Sequence, residues 1–214
     1  MSTERPRRTH ASDGLFILGL AGRAGSGKST VARALESRGV PVIDADRLGH
    51  EVTDTDPEVR AALGAEYGPD VYRADGALDR ARVGAKVFSD PAARARLDRL
   101  VHPRILARIR ARLEALRAAS FHGVVVVDAA LMFDWGFERE CDAVIAVTAP
   151  ESEQVARLVR SRGWTGEQAR ARLAVQRSDE AFAAAADVAI ENRGSESELI
   201  DAVIAAIDRL RARR

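Results

Sequence analysis

Gly22-Arg23-Ala24-Gly25-Ser26-Gly27-Lys28-Ser29 fits the pattern G-x-x-x-x-G-K-[ST], between an apolar run, Leu15 to Leu20, and a helix-like stretch, Val31 to Arg38. Residues of these types in this order hold phosphate. Gly22, Gly25 and Gly27, with Ser26 between the last two, let successive backbone N–H groups turn toward anionic oxygens, and the start of a helix adds the positive end of its dipole. Lys28 reaches toward the β- and γ-phosphates of a nucleotide bound in such a loop. Ser29 places a hydroxyl where these loops hold Mg²⁺, and Thr30 faces the α-phosphate side. The pattern predicts a Mg-nucleotide site; a chance glycine-rich turn gives no reason for strand, loop and helix to agree.

A phosphate loop alone does not separate a kinase from a switch GTPase or a motor ATPase. No N-K-x-D guanine-reading sequence occurs, and 214 residues leave little room for an effector module. Asp44-Ala45-Asp46 follows the apolar run Val40 to Ile43, a strand expected next to the phosphate-loop strand, where open α/β sheets bind ligands. Asp46 can accept a proton from a substrate hydroxyl, a carboxylate at this place can hold Mg²⁺ through water, and the alternative is a cap on the next helix, by Asp44 more readily than by Asp46. Val124-Val125-Val126-Val127-Asp128 has the shape of a Walker B strand ending in a metal-related carboxylate, with a structural cap as the alternative. Arg157, Arg160 and Arg162 fall on a helix running into Gly163 ahead of a second helix, the form of a kinase lid at about 157–178. Lid guanidinium groups neutralise charge developing on a transferring phosphoryl and exclude water; the alternative is a solvated basic face.

The elements that must position these groups are legible as alternation. Leu15 to Leu20, Val40 to Ile43, Val124 to Val127, Ala143 to Val147 and Val188 to Ile190 read as short buried strands. Nearly unbroken apolar strands imply an α/β fold whose parallel sheet is covered on both faces. Helices are expected over Glu151 to Arg162, Gly166 to Gln176 and Glu196 to about Arg211, the last capped by Ser195 with Glu198 three residues on. The interval 56–120 breaks the alternation as a helical insertion with one turn-like stretch, Gly68 to Leu78. Within it Asp90-Pro91 starts a helix, along which Leu97, Leu100, Ile105, Ile109, Leu113 and Leu116 form an apolar, core-facing stripe.

The hydrophobic fraction of 46% suits one packed α/β domain, 14–214, and a net charge of +1 demands no nucleic acid. A lone cysteine, Cys141, makes no internal disulfide, and His10, His50, His102 and His122 lack zinc-ligand spacing, which fits a reducing cytoplasm. No stretch has the length of a membrane span. Residues 1–13 read as a disordered basic tail rather than an arginine-rich transit peptide, because they have little amphipathic period.

Taken together, these segments resemble the dephospho-CoA kinases, P-loop kinases that phosphorylate the ribose 3′-hydroxyl of dephospho-CoA to complete coenzyme A. Besides the loop, the resemblance rests on Val42-Ile43-Asp44-Ala45-Asp46 with His50, Asp75-Gly76-Ala77-Leu78-Asp79-Arg80, Val87-Phe88-Ser89-Asp90, Val101-His102-Pro103 and Ala186-Asp187-Val188-Ala189-Ile190-Glu191-Asn192-Arg193-Gly194. It implies a P-loop NTPase fold with a five-stranded parallel sheet, a helical substrate region and a lid, using ATP and Mg²⁺. It further implies Asp46 as catalytic base, Lys28, Arg157 and Arg162 on the phosphoryl group, Asn192 on the nucleotide side, and Ser29 and Asp128 toward the metal. His50, Leu78, Asp79, Arg80 and His102 then lie near the acceptor, His102 being alternatively a helix-boundary residue before Pro103. The implied partner is the small molecule dephospho-CoA, with neither nucleic acid nor membrane, and the chain a monomer or weak homo-oligomer.

Three departures stand out. The family's T-G-G-I-G-S-G-K is Ala21-Gly22-Arg23-Ala24-Gly25-Ser26-Gly27-Lys28 here, so Arg23 either contacts substrate or points to solvent. The family's P-L-L-[FV]-E is Ala130-Leu131-Met132-Phe133-Asp134, and the lid reads Arg160-Ser161-Arg162-Gly163 without the common Arg-Asp pair. The acting lid arginine is therefore one of Arg157, Arg160 and Arg162. The rival readings are a kinase of another small-molecule hydroxyl and a nucleotide-binding regulatory protein without transfer.

Overall fold

A computed structural model describes residues 14–213, with residues 69, 85, 86, 88 and 89 described by backbone alone; the expected tail at 1–13 lies outside this range. Two compact units divide the chain, one running up to Ile43 and resuming at Leu116, the other Asp44–Ala115.

The first unit is built on a sheet of β1 (Leu15–Ala21), β2 (Val42–Asp44), β3 (Gly123–Asp128), β4 (Ala143–Thr148) and β5 (Val188–Glu191) in the order β2-β3-β1-β4-β5. β1 pairs in parallel with β3, Leu15 opposite Gly123 and Leu20 opposite Asp128, and on its other side with β4. Burial explains the order. Every residue of β1 and β4 is buried, whereas β2 buries Ile43 alone and β5 is half-buried, so the two least apolar strands take the edges. The expected neighbourhood of β2 and the phosphate-loop strand is corrected: β3, whose apolar run can be covered on both faces, occupies the position between them.

Alternation along the strands sends Phe16, Leu18 and Leu20 of β1 and Ala143, Ile145 and Val147 of β4 to one face. There they pack with α1 (Lys28–Glu36) and α9 (Glu196–Arg211), through Val31, Leu35, Leu199, Val203 and Ile207. Gly19 points oppositely, and a Cβ there would stand 2.5 Å from the Met132 sulfur, so the close approach of Met132 requires glycine. α1 begins three residues before the expected Val31, because Gly27 is its N-cap; Lys28 and Ser29 thereby fall in its first turn.

α6 (Glu151–Arg162) and α7 (Gly166–Ala174) are joined at Gly163, which ends α6 in the left-handed region at φ 67°, and Thr165 and Gln168 form a capping box on α7. Leu158, Ala169 and Leu173 close a small core with Ala24, Val155 and Trp164. α8 (Asp179–Ala185) was not legible: its seven residues bury only Phe182, and its start is fixed by the Ser178 side chain accepting from the Ala181 N–H at 3.2 Å.

The second unit is helical: α2 (Ala45–Thr55), α3 (Pro57–Tyr67), α4 (Arg80–Ser89) and most of α5 (Pro91–Ala118). α2 extends it before the expected start at 56. Between α3 and α4, a turn at Pro69–Val71 and an antiparallel bridge from Tyr72 to Leu78 make up the turn-like stretch. α5 buries Ala93, Val101, Ile105, Ile109 and Leu113, whereas Leu97, Leu100 and Leu116 of the expected stripe are half-buried, being rotated off that line. The helix runs through Pro103, so His102 is not at a helix boundary; burial of Val101 and Ile105 on either side holds the helix where one backbone bond is missing. Among the described residues no helix is long and apolar enough to cross a membrane.

Candidate active site

The loop after β1 is shaped by glycines that nothing larger can replace. Gly22, Gly25 and Gly27 have φ of 141°, 75° and 116°. A Cβ on Gly22 would meet the Val147 carbonyl oxygen at 2.2 Å, and one on Gly25 the Gln154 carbonyl oxygen at 2.7 Å. The Ser26 N–H turns back to the Arg23 carbonyl at 3.3 Å, and those of Thr30 and Val31 bond to Gly27. The N–H groups of Gly25, Gly27, Lys28 and Ser29 have no acceptor among the described residues. Lys28 is half-buried, its ammonium paired with none of those residues, and the Ser29 hydroxyl is exposed and likewise unpaired. Unspent donors around a lysine at a helix start are the groups that binding an anion there would use.

The loop is braced from behind. The Asn192 side chain, buried beyond the end of β5, donates to the Ser26 carbonyl at 2.8 Å. Arg157 donates to the carbonyls of Gly25 and Ser26 at 3.1 and 3.2 Å and to the Asn192 carbonyl at 3.4 Å, and it pairs with Glu153. Ser26 itself is fully buried, so what it offers a ligand is loop backbone. The three candidate arginines therefore separate: Arg157 is tied into the loop, whereas Arg160 and Arg162, in the last turn of α6, are exposed and unpaired among the described residues.

Arg23 is a correction to both sequence readings. It neither faces solvent nor lies open to a ligand: it is 8% exposed and donates to the Leu173 carbonyl at 2.8 Å, with Glu151 at 3.4 Å and Asp179 at 3.6 Å. The next residue, Ala24, gives its N–H to Gln176 at 3.0 Å. Gln154, fully buried, donates to Ala149 at 2.9 Å and also to Asp179. Burial pushes the Asp179 carboxyl up from its ordinary value, against the lowering effect of Gln154 and Arg23. Gln154, Gln176 and Asp179 carry no local signal in the sequence, since their partners lie far along the chain.

Asp128 ends β3 opposite Leu20 of β1 and is half-buried. No group of three His, Cys, Asp or Glu able to hold a metal exists among the described residues. Ser29 and Asp128 are hard oxygen donors of the kind that complete the shell of a cation carried mainly by nucleotide phosphates, and they fit Mg²⁺ in that sense.

In the helical unit, Asp44 is the N-cap of α2, accepting from the Arg47 N–H at 3.0 Å. Asp46 stands in the first turn, exposed and with no partner among the described residues. A largely apolar cleft of about 260 Å³ opens between α2, α4 and α5, lined by Leu78, Val83, Leu97 and Val101 with His50, Thr53 and Arg80 as its polar groups. Arg80 is held there by Asp54 at 2.9 Å and the His50 carbonyl at 3.3 Å. Burial raises the Asp54 carboxyl, but the Leu78 N–H at 2.9 Å and Arg80 outweigh it and hold the group below its ordinary value. Asp79 caps α4 through the Arg82 N–H at 3.0 Å, and His102 is 3.3 Å from Asp98; neither lines the cleft. Of the five acceptor candidates, the cleft thus gathers His50, Leu78 and Arg80.

A family model for dephospho-CoA kinase matches residues 16–198. The dephospho-CoA kinase of Thermobifida fusca is 42% identical over 193 residues, 90% of this chain and 94% of its own length. That of Anaeromyxobacter dehalogenans is 41% identical over 184 residues, 86% of either chain. Among solved structures, TT1252 from Thermus thermophilus aligns with a TM-score of 0.76 at 32% identity, covering 91% of this chain and 97% of its own. The dephospho-CoA kinase from Campylobacter jejuni, 24% identical with a TM-score of 0.68 over 92% of this chain and 97% of its own, shares the fold. The chain belongs to the dephospho-CoA kinase family.

Proposed function

We propose a division of labour among the residues above for the reaction of this family. The chain is an enzyme that phosphorylates dephospho-CoA with ATP, giving coenzyme A and ADP. The observation that carries the site reading is the loop: four N–H groups without acceptors among the described residues, and a Lys28 unpaired among them, at one helix start. Such a cradle is made for the polyphosphate of a nucleotide, and its donors need no reorganisation when charge shifts onto the leaving β-phosphate.

In this reading Lys28 and the loop N–H groups hold the β- and γ-phosphates, with Thr30 on the α-phosphate side. Ser29 and Asp128 would hold Mg²⁺, which when bound neutralises phosphate charge. Asp46 takes the proton of the ribose 3′-hydroxyl as that oxygen attacks the γ-phosphorus; its exposed, unpaired carboxylate is free to do so. Arg162 meets the equatorial oxygens of the transferring group, and Arg157 and Asn192 keep the loop in shape. The cleft at His50, Leu78 and Arg80 takes part of the acceptor, its apolar walls suiting an aliphatic arm; Asp79 and His102 act there through the helices they stabilise. The enzyme works in the cytoplasm as a monomer or weak homo-oligomer, a reading supported by the use of a single cysteine in the sequence.

Asp46→Asn tests the assignment. The variant is expected to lose about 10²- to 10⁴-fold in turnover while binding ATP as the parent does. Near-normal turnover would remove Asp46 from the role of base.

A further inference from the structure

Arg23 and Ala24 of the phosphate loop are fastened to one short stretch of chain, residues 173–179. Arg23 bonds to Leu173 in the last turn of α7, and Ala24 bonds to Gln176 just beyond it. Asp179, at the start of α8, lies 3.6 Å from Arg23. Gly25 packs on the backbone of Gln154, whose side chain bonds to the same Asp179. Arg23 and Ala24 are thus held by the segment through which the chain returns from α7 to the sheet, and Gly25 by α6, whose Gln154 is itself bonded to that segment.

A guanidinium this deeply buried costs several kcal/mol unless charge and dipoles compensate it. Asp179 and Glu151 supply the charge, and the α7 carbonyl adds the negative end of a helix dipole. Arg23 Nε and Asp179 Oδ1 are also buried without a partner among the described residues, so the pair retains the capacity to form a two-bond fork. The side-chain contacts run to the end of α7 and the start of α8, and to Glu151 of α6, the helix that carries Arg160 and Arg162.

We propose that Arg23 is a positioning residue that couples the nucleotide-filled phosphate loop to the α6–α7 segment, acting through Leu173 and Asp179. The proposal rests on ATP binding at the loop. Nucleotide and lid arginine are then linked by a joint this chain builds with Arg23, a residue type absent from the family's usual loop. Removing Arg23 leaves the loop able to hold nucleotide but unable to order the segment that delivers Arg162.

Trypsin cleaves after exposed arginines, and Arg160 and Arg162 report on this segment directly. The probe is the non-hydrolysable analogue AMP-PNP with Mg²⁺, at concentrations that saturate each protein in its own titration. In the parent chain the probe is expected to slow cleavage after Arg160 and Arg162 by about tenfold, and in Arg23→Met by less than about twofold, within the usual range of coupling between sites. Arg23→Lys retains the charge without the planar guanidinium that bonds to Leu173 and is expected to fall between them. Arg23→Met leaves Asp179 without its cation, so Arg23→Met/Asp179→Asn removes both charges and keeps the test on a folded protein. Turnover at saturating ATP should fall in each variant by more than ATP affinity does, a split that a general loss of stability does not produce. Protection equal to that of the parent in the saturated variants, or no protection in a parent chain that binds the probe, overturns the coupling. A parent chain that binds no probe overturns the nucleotide reading and this inference with it.

Discussion

Asn192 and Ser26, 166 positions apart, meet in a buried hydrogen bond of 2.8 Å between the Asn192 amide and the Ser26 carbonyl. The contact leaves no space above Gly27, where a Cβ would stand 2.5 Å from the Asn192 nitrogen. The end of β5 thereby fixes the backbone from which Lys28 and Ser29 depart. Asn192→Ala is expected to cost about 1–3 kcal/mol, because a buried carbonyl loses one of its donors. ATP affinity should fall with it, whereas Asn192→Asp puts an acceptor and a charge against a carbonyl and should do worse. Thermal unfolding without nucleotide and calorimetric titration with ATP check both.

Lys28 behaves oppositely. Its ammonium bonds to nothing among the described residues, so Lys28→Ala should leave stability within about 0.5 kcal/mol of the parent. Turnover should drop by about 10²-fold or more, since a cation aimed at developing charge is removed. Denaturant unfolding beside steady-state kinetics separates the two effects.

Arg157 and Arg162 lie on one helix but should not behave alike. Arg157 bonds to three loop-region carbonyls and to Glu153, so Arg157→Ala should lower stability and ATP affinity together. The exposed Arg162 has no hydrogen bond or ion pair among the described residues, and Arg162→Ala should leave stability and ATP affinity unchanged while kcat falls by about 10²-fold or more. If Arg160→Ala instead shows that kinetic loss, the acting arginine is two residues earlier on the same helix.

The distribution of the legible and the illegible follows contact range. Lys28, Ser29 and the three loop glycines were readable because a phosphate loop is a local device, with every residue within one turn of the next. Strands were readable because the buried runs of β1, β3 and β4 are unbroken, but their order was not: pairing depends on which strands can be covered on both faces, and β2 proved too short and exposed to stand beside β1. The fate of Arg23 was hidden for the same reason, its bond to Leu173 spanning 150 positions and that of Ala24 to Gln176 spanning 152. His102 before Pro103 suggested a boundary, yet packing on both sides carried the helix through it.

Asp54 gives the helical unit a pH dependence of known sign. Its carboxyl is held below its ordinary value by the Leu78 N–H and Arg80, against burial. Its contribution is therefore complete above the unfolded value, about pH 4, and is lost as pH falls through the lower folded value, where the unfolded chain binds more protons. Asp54→Asn should destabilise the chain at neutral pH by about 1–3 kcal/mol and flatten the loss of stability on acidification below about pH 4. Urea unfolding at a series of pH values reads both.

Phosphoryl transfer by this chain depends on dephospho-CoA. The most direct test incubates the purified protein with Mg-ATP, with and without dephospho-CoA, and follows ADP and coenzyme A by mass. Coenzyme A formed in equal amount to ADP, with ADP near zero when the acceptor is omitted, is the expected result. ATP bound or hydrolysed at the same rate with and without dephospho-CoA, and no coenzyme A, would contradict it.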